Sequence, residues 1–214
     1  GITWSPGLTL ATPSPTSTTT PPPSWPSTDG KRPSGSSPLG VYASVWETAV
    51  AWIAAIEHRS HPTALILTRQ ALPQHSRTPA QTAAIARGGY VLIDGGGTPE
   101  CIVIATGSEV GIAAQAVNAL NQSGRRVRLV PMPSTDAFDA QDEAYRESVL
   151  PGAVRRRLAV EAAASLTWWK YVGSDGRVLG LDRFGASGKA ADLFSHFGFT
   201  PDNVAREIRA LLQE

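Results

Sequence analysis

The sequence predicts an α/β domain built on a three-layer, mostly parallel sheet from about residue 97 to 214, preceded by a smaller, partial α/β piece. Three observations carry that expectation. Residues 99–117 read PECIVIATGSEVGIAAQAV, an unbroken apolar run from Cys101 to Ala105, a glycine turn, then an alanine-rich helical pattern. Further short strands are expected at Val127–Val130 (VRLV), Arg157–Glu161 (RLAVE) and Val178–Leu181 (VLGL), with helical patterns between them. The chain then closes on Thr200-Pro201-Asp202-Asn203, a cap with proline at the first helical position, opening an amphipathic helix to Leu212.

Each element has a local reason. Ile102, Val103 and Ile104 are β-branched and sit where a strand buried on both faces is expected. Ser108 is placed to cap the following helix, whose apolar positions Val110, Ala113, Ala114 and Val117 keep a helical period. Asn121-Gln122-Ser123-Gly124 ends it. The acidic stretch with Asp136, Asp139 and Asp142 suits the positive end of a helix running through Tyr145 to Val149. Ser165–Tyr171 predicts a short helix carrying Trp168 and Trp169, and Ala190–Phe197 another.

Upstream, the texture changes twice. Residues 45–58, VWETAVAWIAAIEH, predict a helix with Val45, Ala49, Trp52 and Ile56 near helical spacing, stopped at His61-Pro62. Ala64–Leu67 predicts a short apolar strand ending in Thr68-Arg69-Gln70. Ala71–Gly97, with Pro73, Pro79 and a run of three glycines, reads as a linker holding a short helix and a domain boundary. Residues 1 to about 40 are Thr, Pro, Ser and Gly without hydrophobic period, the composition of a disordered tail, with a proline-rich partner ligand as the other reading. The division expected is therefore 1–44 tail, 45–72 partial α/β piece, 73–97 linker and 98–214 C-terminal domain.

Composition narrows the function classes. The chain has 214 residues, 42% hydrophobic and 17% charged, with a formal net charge of +1. That balance gives no electrostatic case for nucleic acid or an anionic membrane surface. A single cysteine excludes an internal disulfide framework and fits a reducing compartment. No apolar run reaches the roughly 18 residues of a membrane span, and no signal-peptide pattern opens the sequence. A cytoplasmic protein is the expectation.

The residues alone give little chemistry. ATGSE at the start of a helix has two readings, an anion cradle of backbone N–H groups or a structural turn. It lacks the glycine spacing of a dinucleotide site and the lysine of a P-loop. His58, His61, His75 and His196 have no metal-ligand spacing. Cys101 falls inside a core strand and reads as an inert thiol. Arg155-Arg156-Arg157 reads as a solvated run before a strand.

The motifs say more. ALILTRQ, IARGGYVL, IVIATGSEV, VRLVPMPSTDAFDAQDEAYRESVLP, VEAAASLTWWKYVG and DRFGASGKAADLFSHFGFT run in family order and resemble the C-terminal part of transketolase, from about Glu47 to Leu212. The resemblance implies a two-carbon ketol transfer between sugar phosphates in the pentose phosphate pathway, by a whole enzyme that is a homodimer using thiamine diphosphate with Mg2+ or Ca2+. It makes residues 45–72 the end of the pyrimidine-binding domain and residues 98–214 the transketolase C-terminal domain. The family's diphosphate domain, its pyrimidine-contacting glutamate and its His-Asp-Ser-Ile-Gly and Gly-Glu-Asp-Gly-Pro-Thr-His-Gln-Pro stretches have no counterpart in these residues. No catalytic, cofactor-binding or metal-binding residue is therefore expected in this chain, and no bound cofactor. One position carries over. Arg69 in LTRQ matches the arginine that binds substrate phosphate in the family's LSRQ motif, a role suited to a guanidinium fork. His61 and Gly188-Lys189 depart from the family pattern at loops. Residues before Glu47 read either as out-of-frame translation of a GC-rich gene or as a fused tail. The alternative function is a non-catalytic α/β module for dimerisation or for binding an anion or a partner.

Overall fold

Four parallel strands in the order β2-β1-β3-β4 form the centre of the computed structural model, which describes residues 45–60, 62–68 and 70–213. The strands are β1 (Cys101–Ala105), β2 (Val127–Pro131), β3 (Arg157–Val160) and β4 (Arg177–Leu179). β1 lies in the middle, with Val103 opposite Leu129 on one side and Leu158 on the other. An isolated antiparallel bridge, Ile93 to Leu129, adds to the outer edge of β2.

The uninterrupted apolar run of β1 is explained by burial on both faces, every residue from Cys101 to Ala105 being fully covered. Period-two alternation divides them. Cys101, Val103 and Ala105 pack with α3 (Glu109–Gln122) and α8 (Pro201–Leu212), through Val117, Leu120, Val204 and Ile208. Ile102 and Ile104 face the opposite layer, where Phe138, Val149, Trp168 and Tyr171 gather. Sheet and two helical layers match the predicted three-layer α/β class.

Caps account for most boundaries. Thr200 Oγ1 accepts the Asn203 N–H at the start of α8, with Pro201 at its first position. The acidic segment is two helices, not one: α4 (Thr135–Asp139) is capped by Ser134, and α5 (Glu143–Val149) by Asp142, whose carboxylate accepts the Tyr145 N–H at 2.7 Å. Asp139 instead ends α4 and accepts from Lys170 and from the Tyr171 hydroxyl. Trp168 closes a 3-10 turn from Ser165 that runs into α6 (Trp169–Val172), and α7 is Ala190–His196. Ser108 stands at the N-cap position of α3, but its hydroxyl does not cap; it turns to Glu109.

Upstream, α1 spans Val45–Glu57 as predicted, and α2 (Pro79–Ala84) is the short helix expected before the glycines. A Thr78/Gln81 capping box opens α2 and a 3-10 turn, Ile85–Arg87, continues it. Tyr90 and Leu92 are buried in the α3/α8 layer. Ala64–Leu67 is not a strand. It has only single bridge residues at Thr63 and Ile66, and Ile66 and Leu67 are exposed. Four apolar residues do not make a strand without a neighbouring ladder, and the four-stranded sheet offers this segment none. The tail expected over residues 1–44 lies outside the described residues.

Candidate functional site

In an open parallel sheet, ligands settle outside the carboxyl ends of the strands where the order reverses. Here that point lies between β1 and β3, because β2 and β3 flank β1 on opposite sides. The turn Thr106-Gly107-Ser108 leaves β1 there, with Gly107 at φ 56°. The N–H groups of Glu109 and Val110 return to the carbonyls of Thr106 and Gly107, at 3.2 and 3.4 Å.

Glu109, the first residue of α3, fills the remaining space. It is buried; Oε2 accepts from the Ser108 hydroxyl at 2.7 Å, and Oε1 accepts the Ala162 N–H beyond β3 at 2.8 Å. A carboxylate at the positive end of a helix is favoured by the dipole. The carboxylate at this helix end is the chain's own, and it joins the turn to the exit of β3. Beside it, Glu161 accepts the Trp168 indole N–H at 2.6 Å. Burial, with the Glu109 charge adding to it, pushes the Glu161 carboxyl above its usual value.

Arg69 and His61 lie outside the described residues. The neighbours of Arg69 are placed: Thr68 and Gln70 line a cleft of about 820 Å³ together with Ala186, Ser187, Gly188 and Phe194. The cleft thus joins LTRQ to the FGASGK loop, two of the segments that resemble the family. A second, apolar cleft of about 350 Å³ runs from Leu72 and Pro73 to Ile112 and Phe199.

The other sequence candidates are structural. Cys101 is fully buried and its thiol is pushed up to about 12 by burial, so no thiolate is available near neutral pH. Among the described residues no three His, Cys, Asp or Glu side chains converge as metal ligands. His196 packs edge-on to Phe197, and His75 has its pKa lowered, first by burial and then by Arg77. Of the three arginines before β3, Arg155 and Arg156 are exposed as expected, but Arg157 is not a solvated residue. It is half-buried and donates to the carbonyls of Leu150, Pro151, Val154 and Tyr171, satisfying chain ends on one side of the sheet.

Sequence reasoning missed one cluster altogether. Glu47 on α1, Arg77 and Tyr90 are buried together: Arg77 Nη2 meets Glu47 Oε1 at 3.2 Å, and the Tyr90 hydroxyl donates to the same oxygen at 2.7 Å. Arg77 Nε donates to the Tyr90 hydroxyl at 2.9 Å. Thirty residues of separation between Glu47 and Arg77 left no local signal for this pairing.

Fold and site together define a parallel α/β module in which Glu109 bridges the switch point between β1 and β3. A sequence model described as the transketolase-like TK C-terminal domain matches residues 88–200. The chain belongs to the transketolase family. It is 56% identical over 166 residues to Transketolase 1 of Escherichia coli, covering 78% of this chain and 25% of that protein. Among solved structures, the transketolase of Leishmania mexicana matches with a TM-score of 0.72 at 36% identity, over 78% of this chain and 24% of that one. The Pichia stipitis transketolase in complex with sedoheptulose-7-phosphate matches with a TM-score of 0.69 at 39% identity, over the same shares. The chain thus spans about a quarter of the length of the relatives it matches. No described helix is long and apolar enough to cross a membrane.

Proposed function

We propose that this chain is the C-terminal piece of a transketolase, with the reaction belonging to the assembled enzyme. That enzyme transfers a two-carbon ketol unit between sugar phosphates in the pentose phosphate pathway, as a cytoplasmic homodimer using thiamine diphosphate and Mg2+ or Ca2+. Residues 45–72 are the end of the pyrimidine-binding domain, residues 73–97 the linker and residues 98–214 the C-terminal domain. The observation that carries this reading is 56% identity over 166 residues to a transketolase of known organism, joined to the matching parallel sheet.

Arg69 is the residue of this chain proposed to meet substrate, by two parallel charged hydrogen bonds to a sugar phosphate. The cleft between Thr68, Gln70 and the loop 186–188 gives that phosphate room beside LTRQ. The chain alone holds no thiamine diphosphate and is catalytically silent.

The test is a chimera in which residues 47–212 replace the matching quarter of the Escherichia coli relative. It is assayed for ketol transfer from xylulose 5-phosphate to ribose 5-phosphate with thiamine diphosphate and Mg2+. Turnover by the chimera is expected, and a folded chimera without turnover refutes the reading. Turnover by this chain on its own, above a no-protein control, would refute its silence.

A further inference from the structure

We propose that the cleft at the amino ends of the strands binds a small organic anion carrying two phosphate groups, held by Arg155 and Arg156. The proposal does not depend on the enzymatic reading above. Topology brings arginines to one edge of the sheet. Arg125 and Arg126 lead into β2, Arg155 and Arg156 into β3, and Arg177 opens β4. The strands are all parallel, so these residues stand together at the end opposite the Thr106-Gly107-Ser108 turn. Five arginines there face the carboxylates of Glu100, Asp175 and Glu207. Among the described residues that edge therefore carries an excess of two positive charges, in a chain whose whole net charge is +1.

The cleft holds about 600 Å³, a volume within the range of small-molecule sites. Pro99, Val154 and Leu211 give it an apolar wall, a surface for a carbon skeleton. Glu100, Arg155, Arg156 and Asp175 supply the charge. None of its lining residues belongs to the cleft beside Thr68.

The two carboxylates are already committed to cations. Glu100 accepts the Arg126 N–H at 2.9 Å and faces Arg125 at 3.5 Å, while Asp175 meets Arg155 Nε at 2.6 Å. That last pair is 69% and 49% exposed, and an exposed pair holds weakly enough for a phosphate to share its arginine. Arg156 makes no ion pair among the described residues. It is exposed, but its charge is felt by the Cys101 thiol, which puts the guanidinium near the amino end of β1 and over the cleft. A guanidinium fork matches two phosphate oxygens, so two adjacent arginines suit two phosphate groups. The run of arginines before β3, exposed and without a task in the fold at its first two positions, thereby acquires one.

The experiment titrates fructose 1,6-bisphosphate into the full 214-residue chain by calorimetry at physiological ionic strength, with inorganic pyrophosphate as the probe lacking a carbon skeleton. One site per chain is expected, tighter for the sugar bisphosphate because only it covers the apolar wall. Arg156→Ala and Arg155→Ala should each weaken binding roughly tenfold or more, the worth of a charged contact. Arg156→Lys should restore only part. Both alanine variants should melt with their parent, since both side chains are exposed. Arg146→Ala, exposed on α5, and Arg69→Ala should bind as the parent does. Absence of binding, binding indifferent to the loss of Arg156, or equal weakening by Arg146→Ala overturns the proposal. Binding lost in Arg69→Ala also overturns it, by moving the ligand to the cleft beside Thr68. Pyrophosphate bound as tightly as the sugar bisphosphate overturns the assignment of an organic ligand.

Discussion

Arg77→Ala probes the cluster that joins α1 to the rest of the molecule. The guanidinium is 1% exposed, and its removal takes away the donors to Glu47, to the Tyr90 hydroxyl and to the His75 carbonyl. Glu47, with its side chain 5% exposed, is left with the Tyr90 hydroxyl as partner. Burial, reinforced by the Glu47 charge, holds the Tyr90 phenol above its usual pKa, so it remains a donor. One neutral hydroxyl does not compensate a buried carboxylate. Breaking a buried pair from one side costs about 3–5 kcal/mol, or roughly 6–20 °C in Tm for a domain of this size. Replacing both partners by apolar residues, Glu47→Leu with Arg77→Met, should recover most of the loss, because no charge is then stranded. Urea denaturation of the single and double variants, followed by far-UV circular dichroism, measures both quantities. A cost under about 1 kcal/mol for Arg77→Ala, or a double variant no better than the sum of its singles, would show that the pair is not coupled as drawn.

Gly88→Ala should destabilise by about 2 kcal/mol or more, since φ is +85° and the new Cβ would overlap the Ser134 carbonyl and the Phe138 N–H; thermal melting decides it. Glu161→Gln should raise Tm at pH 7 and flatten its pH dependence. With the folded pKa raised by burial, the contribution of Glu161 is full at acid pH and is lost as pH rises through that value. A variant less stable than its parent at pH 7 contradicts this. In the chimera, Arg69→Ala should raise KM for phosphorylated donors by roughly ten- to a hundredfold, the worth of about 1.5–3 kcal/mol for a charged contact. Hydroxypyruvate should lose much less and lysine should restore only part. Equal losses with both donors would remove the phosphate role.

The sheet was legible because its strands are covered on both faces. Cys101–Ala105 is a continuous apolar run, the pattern of a parallel strand covered on both faces, and Val127–Val130 departs from it only at Arg128. Thr200-Pro201 was equally plain, since capping is local chemistry. The failures have a common cause, which is partners distant in sequence. Ala64–Leu67 has the composition of a strand but no ladder to join, and Arg157 looks like its exposed neighbours until four carbonyls close around it. Ser108 occupies the capping position, yet a buried carboxylate one residue later draws its hydroxyl away. Family resemblance located Arg69, but no pattern in the chain announced Glu47, Arg77 and Tyr90 as one cluster.

Glu109 has a consequence for how the module responds to its surroundings. A helix end with vacant N–H groups is linked to every anion in solution, and its stability rises with phosphate or sulfate by mass action. Here a carboxylate of the chain itself stands at that end, and through the Ala162 N–H it ties the start of α3 to the exit of β3. A tether of this kind holds the carboxyl ends of two neighbouring strands together from inside the fold.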